Sequence, residues 1–330
     1  MDPVRLPYAP PALSGGTAGR ARDGRYLGRI RDVSTRRWDG SGPFSARRTQ
    51  RKGWFYAAAF TPRYLLGFAI VDAGYLGTAF VYLKDRQTGK FREHKAALPL
   101  AFPADFAPSL DAEWNVARGR RRWNITPGDS GWAVRFTGPA LDAELLIIDD
   151  QPGLTAISSA PGRPFHHTYK ACSLNCQLTV TADGVPVRAD GRASIDFSLG
   201  YPPRDTRWNW ASLSGVTADG APVAINLVAH FMNGLENAVW LDGELHPVGQ
   251  AVFEYQPRNT LAEWRVHTVD DAVHITLRPD GERSENLRAG VLSSVFTQPF
   301  GAFEGTLRCG KRGSVVIHGY GVTEQHRARW

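Results

Sequence analysis

Beyond residue 52 the apolar and polar positions fall into short runs with a period of two, and the 3.6-residue period of an amphipathic helix is scarce. Segments 54–60, 64–71 and 75–83 are successive runs bounded by Pro, Gly or Asp, and 112–118, 121–125, 132–137 and 141–148 follow at similar lengths. A Pro/Gly-rich link at 158–164 interrupts the series, and the second half then repeats it. Asp183-Gly184, Asp219-Gly220, Asp242-Gly243 and Asp280-Gly281 read as hairpin turns between these runs. The pattern predicts an all-β protein of two antiparallel barrels or barrel-like sandwiches, closed so that no long edge is exposed. Helix is expected only in short pieces such as 284–288. The expected division is a leader over 1–52, a first barrel over 53–160 and a second over 161–330.

Parity then sorts side chains onto faces. After the link, Phe165, His167 and Tyr169 share one face and His166, Thr168 and Lys170 the other. In 193–200 the apolar set is Ile195, Phe197 and Leu199, so Asp196 points the opposite way, toward solvent on the simplest reading. Trp208 and Trp210 lie together, with Asn209 opposed to them. Along 223–230, Asn226 and His230 face away from Val223, Ile225 and Leu227. Asn233-Gly234 should turn the chain so that Glu236, Ala238 and Trp240 align on the returning strand, which places His230 and Glu236 at one barrel mouth. Asn, Glu and His lose hydration when buried and need partners, so their concentration around paired tryptophans exceeds what a core requires. The candidate proton-transfer residues are His167, His230, Glu236 and Glu304. The candidate ligand contacts are Tyr169, Tyr201, Trp208, Asn209, Trp210, Asn233 and Trp240. Glu324 and His326 near the end of the sequence could reach the same mouth, or could form a salt-bridged closing strand.

Composition narrows the chemistry. The 330 residues carry a formal charge of +7, but segment 1–52 alone holds twelve Lys or Arg against four Asp, leaving the rest at −1. That concentration suits a solvated arm partly wrapping the body, and no recognition-helix or RNA-binding motif accompanies it, so nucleic acid is an unfavoured partner. No apolar run approaches the roughly 18 residues of a membrane span. The first residues lack the basic and apolar regions of a secretory signal, and a cytoplasmic location is expected. Cys172 and Cys176 would stand about 13 Å apart on an extended strand, too far to share an ion or a disulfide. Neither metal nor cofactor is expected, since no zinc spacing, phosphate loop or serine nucleophile elbow is present.

The segments His166-His167-Thr168-Tyr169-Lys170, Gly200-Tyr201-Pro202-Pro203 through Trp208-Asn209-Trp210, Asn233-Gly234 with Glu236-Asn237, Phe300-Gly301 through Glu304-Gly305, and Gly321-Val322-Thr323-Glu324 resemble a bacterial family of proteins, domain of unknown function 2804. That family name carries no activity with it. The Trp-x-Trp strand and the paired barrels are also distantly similar to lipocalin-like double-barrel enzymes such as carotenoid hydratases, tocopherol cyclases and fungal Diels–Alder cyclases. This similarity implies a lipophilic small molecule bound in or between barrels, with acid–base residues and aromatic walls carrying out hydration, cyclisation or isomerisation. A non-catalytic carrier, or a structural or partner-binding protein with filled barrels, remains the alternative. Ligand identity and oligomeric state lie outside what the pattern specifies.

Overall fold

A computed structural model describes residues 5–15, 19–40, 45–103, 106–182, 184–289 and 292–330. Strands dominate, as the period-two pattern predicts. The first sheet comprises β1 (Gly24–Leu27), β2 (Lys52–Phe60), β3 (Tyr64–Asp72), β4 (Leu76–Asp85), β5 (Phe91–Pro99), β6 (Trp114–Arg118), β7 (Arg121–Gly128), β8 (Gly131–Gly138), β9 (Leu141–Ile148), β10 (Leu154–Ser158), β11 (His166–Ala182) and β12 (Val185–Gly200). Its order is β5-β4-β3-β2-β12-β11-β9-β8-β7-β6, with β10 on the first half of β11 and β1 on β10. This sheet curls into a nearly closed barrel.

The second sheet comprises β13 (Asp205–Thr217), β14 (Pro222–Ala229), β15 (Ala238–Leu241), β16 (Glu244–Pro247), β17 (Ala251–Glu254), β18 (Trp264–Thr268), β19 (Val273–Ala289), β20 (Leu292–Leu307) and β21 (Val315–Arg329). It runs β16-β15-β14-β13-β21-β20-β19-β18-β17 as a half-barrel. Two short helices, α1 (Arg36–Asp39) and α2 (Ala46–Gln50), belong to the leader.

Three sequence expectations change. The link at 158–164 joins β10 to β11 inside the first sheet, and the chain passes between sheets at 201–204, so the 160/161 boundary does not separate the barrels. The long hairpin β11–β12 is the middle of the first sheet because one half of β11 pairs with β10 and the other with β9. Asp280-Gly281 is not a hairpin turn but a bulge inside β19, and 284–288 continues that strand against β20 instead of forming a helix. The bulge is held from both sheets: Lys84 Nζ of β4 reaches the Asp280 carbonyl at 3.3 Å, and Asp280 Oδ1 accepts from Tyr320 Oη of β21 at 2.8 Å. Asp219-Gly220 and Asp242-Gly243 do turn the chain, with Asp242 and Gly243 both at positive φ (57° and 73°). Asp183 lies outside the described residues.

The leader is partly structural. Leu13, Ile30 and Val33 are buried in the core of the first barrel, and β1 extends its sheet.

Each barrel has its own filled interior. Phe55, Ala57, Trp114, Leu145, Ile195 and Phe197 pack inside the first, and Leu213, Ile225, Leu227, Trp264, Ile275 and Phe303 inside the second. The opposite faces of several strands are buried as well. Tyr56, Ala58 and Phe60 of β2 meet Trp210, Val228, Phe300 and Val322 of the second sheet in a third cluster between the barrels. Strands β2 and β3 are apolar on both faces for this reason, whereas β9, whose outer face meets water, alternates strictly between buried and less buried positions.

Candidate functional site between the barrels

A cavity of about 140 Å³ lies in this interface. Its walls are largely aromatic: Trp54, Tyr56, Phe80, Trp208, Trp210 and Phe231. Trp54 and Trp208, one from each barrel, are near parallel with ring centroids 6.4 Å apart. Charged side chains also line it, in three groups.

The first group is Lys170, Asp196 and Glu236. Lys170 Nζ stands 2.6 Å from Asp196 Oδ1 and 3.0 Å from Glu236 Oε1. Trp54 Nε1 donates to Asp196 Oδ1 at 3.3 Å. Neither Glu236 oxygen receives a well-directed hydrogen bond among the described residues, although the residue is only 1% exposed. Burial raises the Glu236 pKa above the ordinary carboxyl value, with Lys170 opposing and Asp196 reinforcing the rise. Burial works against the Lys170 ammonium too, but the two carboxylates outweigh it and its pKa is raised. Two carboxylates around one ammonium form a coupled set, and Glu236, the more buried acid, is the member whose pKa burial raises.

Local structure positions this acid. The chain leaves β14 through His230, Met232 and Asn233, all at positive φ (65°, 52° and 52°), and a 3₁₀ turn at Met232–Gly234. Asn226 Nδ2 donates to the Glu236 carbonyl at 2.9 Å while its Oδ1 accepts from Trp210 Nε1 at 2.9 Å. Asn237 accepts from the Val228 backbone at 2.7 Å and donates to the Gly249 carbonyl at 2.9 Å. From the leader, Arg25 Nη2 holds the Gly234 carbonyl at 2.7 Å.

In the second group, Glu324 accepts from Trp208 Nε1 at 2.9 Å and from Gln298 Nε2 at 2.8 Å. His326 Nδ1 lies 3.2 Å from Glu324 Oε1, and its ring is 4.1 Å from that of Trp208. Third, Arg283 donates to Glu93 at 2.5 Å, and its guanidinium lies 3.7 Å over Phe80 and 4.5 Å over Phe296. The β19 bulge aims Arg283 here: with one extra residue, odd positions after Gly281 face the first barrel, whereas before it Ile275 and Leu277 face the interior of the second.

The sequence-expected residues are dispersed around this geometry. Glu236, Trp208 and Trp210 line the cavity. His230 and Asn209 face a separate, more open hollow of about 670 Å³ that shares Trp208, Phe296 and His326 with it, so His230 and Glu236 do not meet at one mouth. Asn209 Nδ2 donates there to Tyr255 Oη at 3.1 Å. His167 points into the first barrel against Phe197, with neither ring nitrogen hydrogen-bonded among the described residues, and burial pushes its pKa down to about 3. Tyr169 shares that interior. Tyr201 Oη donates to Asp39 at 2.8 Å, and Trp240 Nε1 to the Pro152 carbonyl at 2.7 Å; both serve packing. Asn233 supplies the turn. Glu304 lies on the outer surface, paired with Arg278 at 2.8 Å. Asp196 does point away from Phe197, but that side is covered by the second barrel instead of solvent.

Cys172 is buried in the cluster with Trp240, and Cys176 in the core of the first barrel. Among the described residues, no three His, Cys, Asp or Glu side chains are grouped to hold a metal. Among the same residues, no helix is long and apolar enough to cross a membrane.

Two sheets with filled interiors, packed face to face around a small aromatic cavity, define a lipocalin-like double-barrel protein. The chain belongs to the family described as Domain of unknown function (DUF2804), whose model matches residues 20–330. Its architecture is similar to that of kievitone hydratase from Nectria haematococca, at 10% identity and TM-score 0.52, covering 97% of this chain and 98% of that one. It is also similar to CghA with Sch210972, at 13% identity and TM-score 0.53, covering 96% and 97%. A putative AttH from Nitrosomonas europaea aligns at 17% identity and TM-score 0.53, covering 83% and 92%. No curated protein matches the sequence.

Proposed function

We propose that the protein binds a hydrophobic small molecule between its barrels and transfers a proton to it from Glu236, in a hydration, cyclisation or isomerisation. The observation that carries this reading is a fully buried acid with a raised pKa, tethered at 3.0 Å to Lys170 and set in an aromatic wall. A raised pKa brings such an acid closer to the range in which it can hand a proton to a basic centre that forms beside it. Protonation of a carbon–carbon double bond would leave a cation, which the faces of Trp54, Trp208 and Trp210 would stabilise. In a hydration, water would then add to that cation and return a proton to the Glu236 carboxylate, with His326 and Glu324 as the second acid–base pair. The name of kievitone hydratase accords with this reading, although the likeness to it is one of fold.

The cavity sets the size of the reacting part. An apolar cavity of about 150 Å³ accommodates a benzene ring, so the 140 Å³ here would take a single ring or a short isoprenoid unit. The remainder of a larger ligand would pass Trp208, Phe296 and His326 into the outer hollow. A carrier without turnover is the second reading, favoured by the direct hold of Lys170 on Glu236.

The test begins with mass spectrometry of small molecules that co-purify with the protein, followed by turnover and binding of the compound so named. Glu236→Gln should abolish turnover and retain binding. Unchanged turnover would remove Glu236 from the chemistry, and binding without turnover in the unmodified protein would establish the carrier.

A further inference from the structure

We propose that the pocket formed by Lys52, Tyr75, Arg163, Arg204 and Trp330 is an oxyanion-binding site that takes a phosphate, sulfate or carboxylate group. The pocket measures about 270 Å³, and none of its lining side chains is acidic. Lys52 is 1% exposed; its Nζ donates to the carbonyls of Thr49 at 2.6 Å and Ala73 at 2.8 Å. The same nitrogen lies 4.7 Å from the ring of Tyr75 and 5.7 Å from that of Trp330. Among the described residues neither Arg163 nor Arg204 forms an ion pair, and Arg163 Nη1 donates to the neutral Gln50 Oε1 at 2.7 Å.

The surroundings supply more positive charge than they neutralise. Arg48 and Arg51 share Asp72, and Arg51 also takes Asp39, so both carboxylates are already engaged. Even so, among the described residues Arg48 Nε and Nη1 and Arg51 Nε have no hydrogen-bond partner although their side chains are buried. Burial pushes the Lys52 pKa down to about 7; Asp72 resists this, while Arg48, Arg163 and Arg51 add to it. A buried lysine among guanidinium groups is costly in an empty pocket and favourable beside an anion, because the bound charge offsets both desolvation and like-charge repulsion. Two guanidinium groups and an ammonium at one opening also match the several acceptor oxygens of a tetrahedral or planar oxyanion.

Trp330 lines both this pocket and the cavity between the barrels. The oxyanion can therefore be a free ion or the anionic end of an amphiphile whose apolar body enters the cavity; the second source rests on the proposed function. Isothermal titration of the full chain with inorganic phosphate and with n-octyl phosphate, against chloride, tests the site. Saturable binding of both is expected below about 10 mM. It should weaken about tenfold in Arg163→Gln/Arg204→Gln, in line with the loss of charge-assisted hydrogen bonds. Tighter binding of octyl phosphate identifies the amphiphile, and equal binding the free ion; either supports the site. Absence of saturable binding, or affinity unchanged in the double variant, overturns it. Glu236→Gln should leave phosphate binding intact, so a failure of the proton-transfer reading is separable from a failure of this one.

Discussion

Replacing Lys170 by Met tests whether the buried ion cluster is electrostatically organised in the way its geometry implies. The ammonium stands 2.6 Å from Asp196 and 3.0 Å from Glu236. At an effective dielectric of about 20, each contact between ionised groups corresponds to roughly 6 kcal/mol of attraction before the cost of desolvating the charges is subtracted, and protonation of Glu236 removes its share. Removing one member of such a buried set typically costs about 3–5 kcal/mol, because the partners are left uncompensated. The variant has one way to reduce this loss. Burial already raises the Glu236 pKa, and deleting the group that most strongly opposes the rise sends it higher. A carboxyl with a raised native pKa stabilises the fold below its ordinary pKa and loses that contribution as pH climbs through the native value. The variant should therefore lose stability with rising pH by up to about 1.4 kcal/mol per unit. Urea unfolding followed by tryptophan fluorescence should show a deficit of about 3–5 kcal/mol at pH 7.5 and a clearly smaller one at pH 5. Adding Glu236→Gln should restore about 1 kcal/mol or more, since it removes the stranded charge. A deficit below about 1 kcal/mol, or one equal at the two pH values, would refute the assignment of the cluster as a coupled set.

Two further perturbations probe its supports and surroundings. Asn226→Ala leaves the Trp210 indole N–H and the Glu236 carbonyl without these partners in a buried interface, and should cost about 2–5 kcal/mol in urea unfolding; a loss under about 1 kcal/mol would mean that this loop is held by other contacts. His166 and His167 both have native pKa values near 3, below the ordinary 6.5, so the unfolded chain takes up protons first and stability falls as pH drops through that window. His167→Leu should remove up to about 1.4 kcal/mol per pH unit of that slope between pH 6 and 4, and unfolding curves with the same pH dependence as the unmodified protein would count against it.

The barrels were legible because their interiors obey a local rule. Ile195, Phe197 and Leu199 alternate with Ser194, Asp196 and Ser198, and alternation alone places the first set inside. The boundary was not legible, because the pairing of β11 back across the 158–164 link with β9 and β10 is decided by tertiary contact and not by the Pro/Gly content of the link. The 284–288 segment failed for a related reason. Its charges resemble an exposed helix, but Arg283 and Glu285 are placed by the bulge at Asp280 and reach Glu93 and Lys95 of the other barrel.

The site was half visible for a reason that applies to any pair of packed barrels. Parity tells which side chains share a face; it does not tell what lies beyond that face. Parity puts Asp196 and Lys170 on the outer side of their strands, and a solvent-facing reading of Asp196 leaves out the second barrel that covers it. A signal was nevertheless present. Segments 54–60 and 223–229 are apolar almost throughout, and a strand apolar on both faces must be covered on both. Polar residues at outward positions of a strand paired to such a segment are then candidates for burial, which selects Asp196 on β12 beside β2, whereas Lys170 on β11 and Glu324 and His326 on β21 lie one strand further out and Glu304 is exposed. The same reasoning displaces His167. It sits on an inward face, where the core is already filled, so an imidazole there is an apolar-core residue at neutral pH instead of a proton carrier. The proposed chemistry is thereby placed at the interface, because the described core of each barrel is already filled.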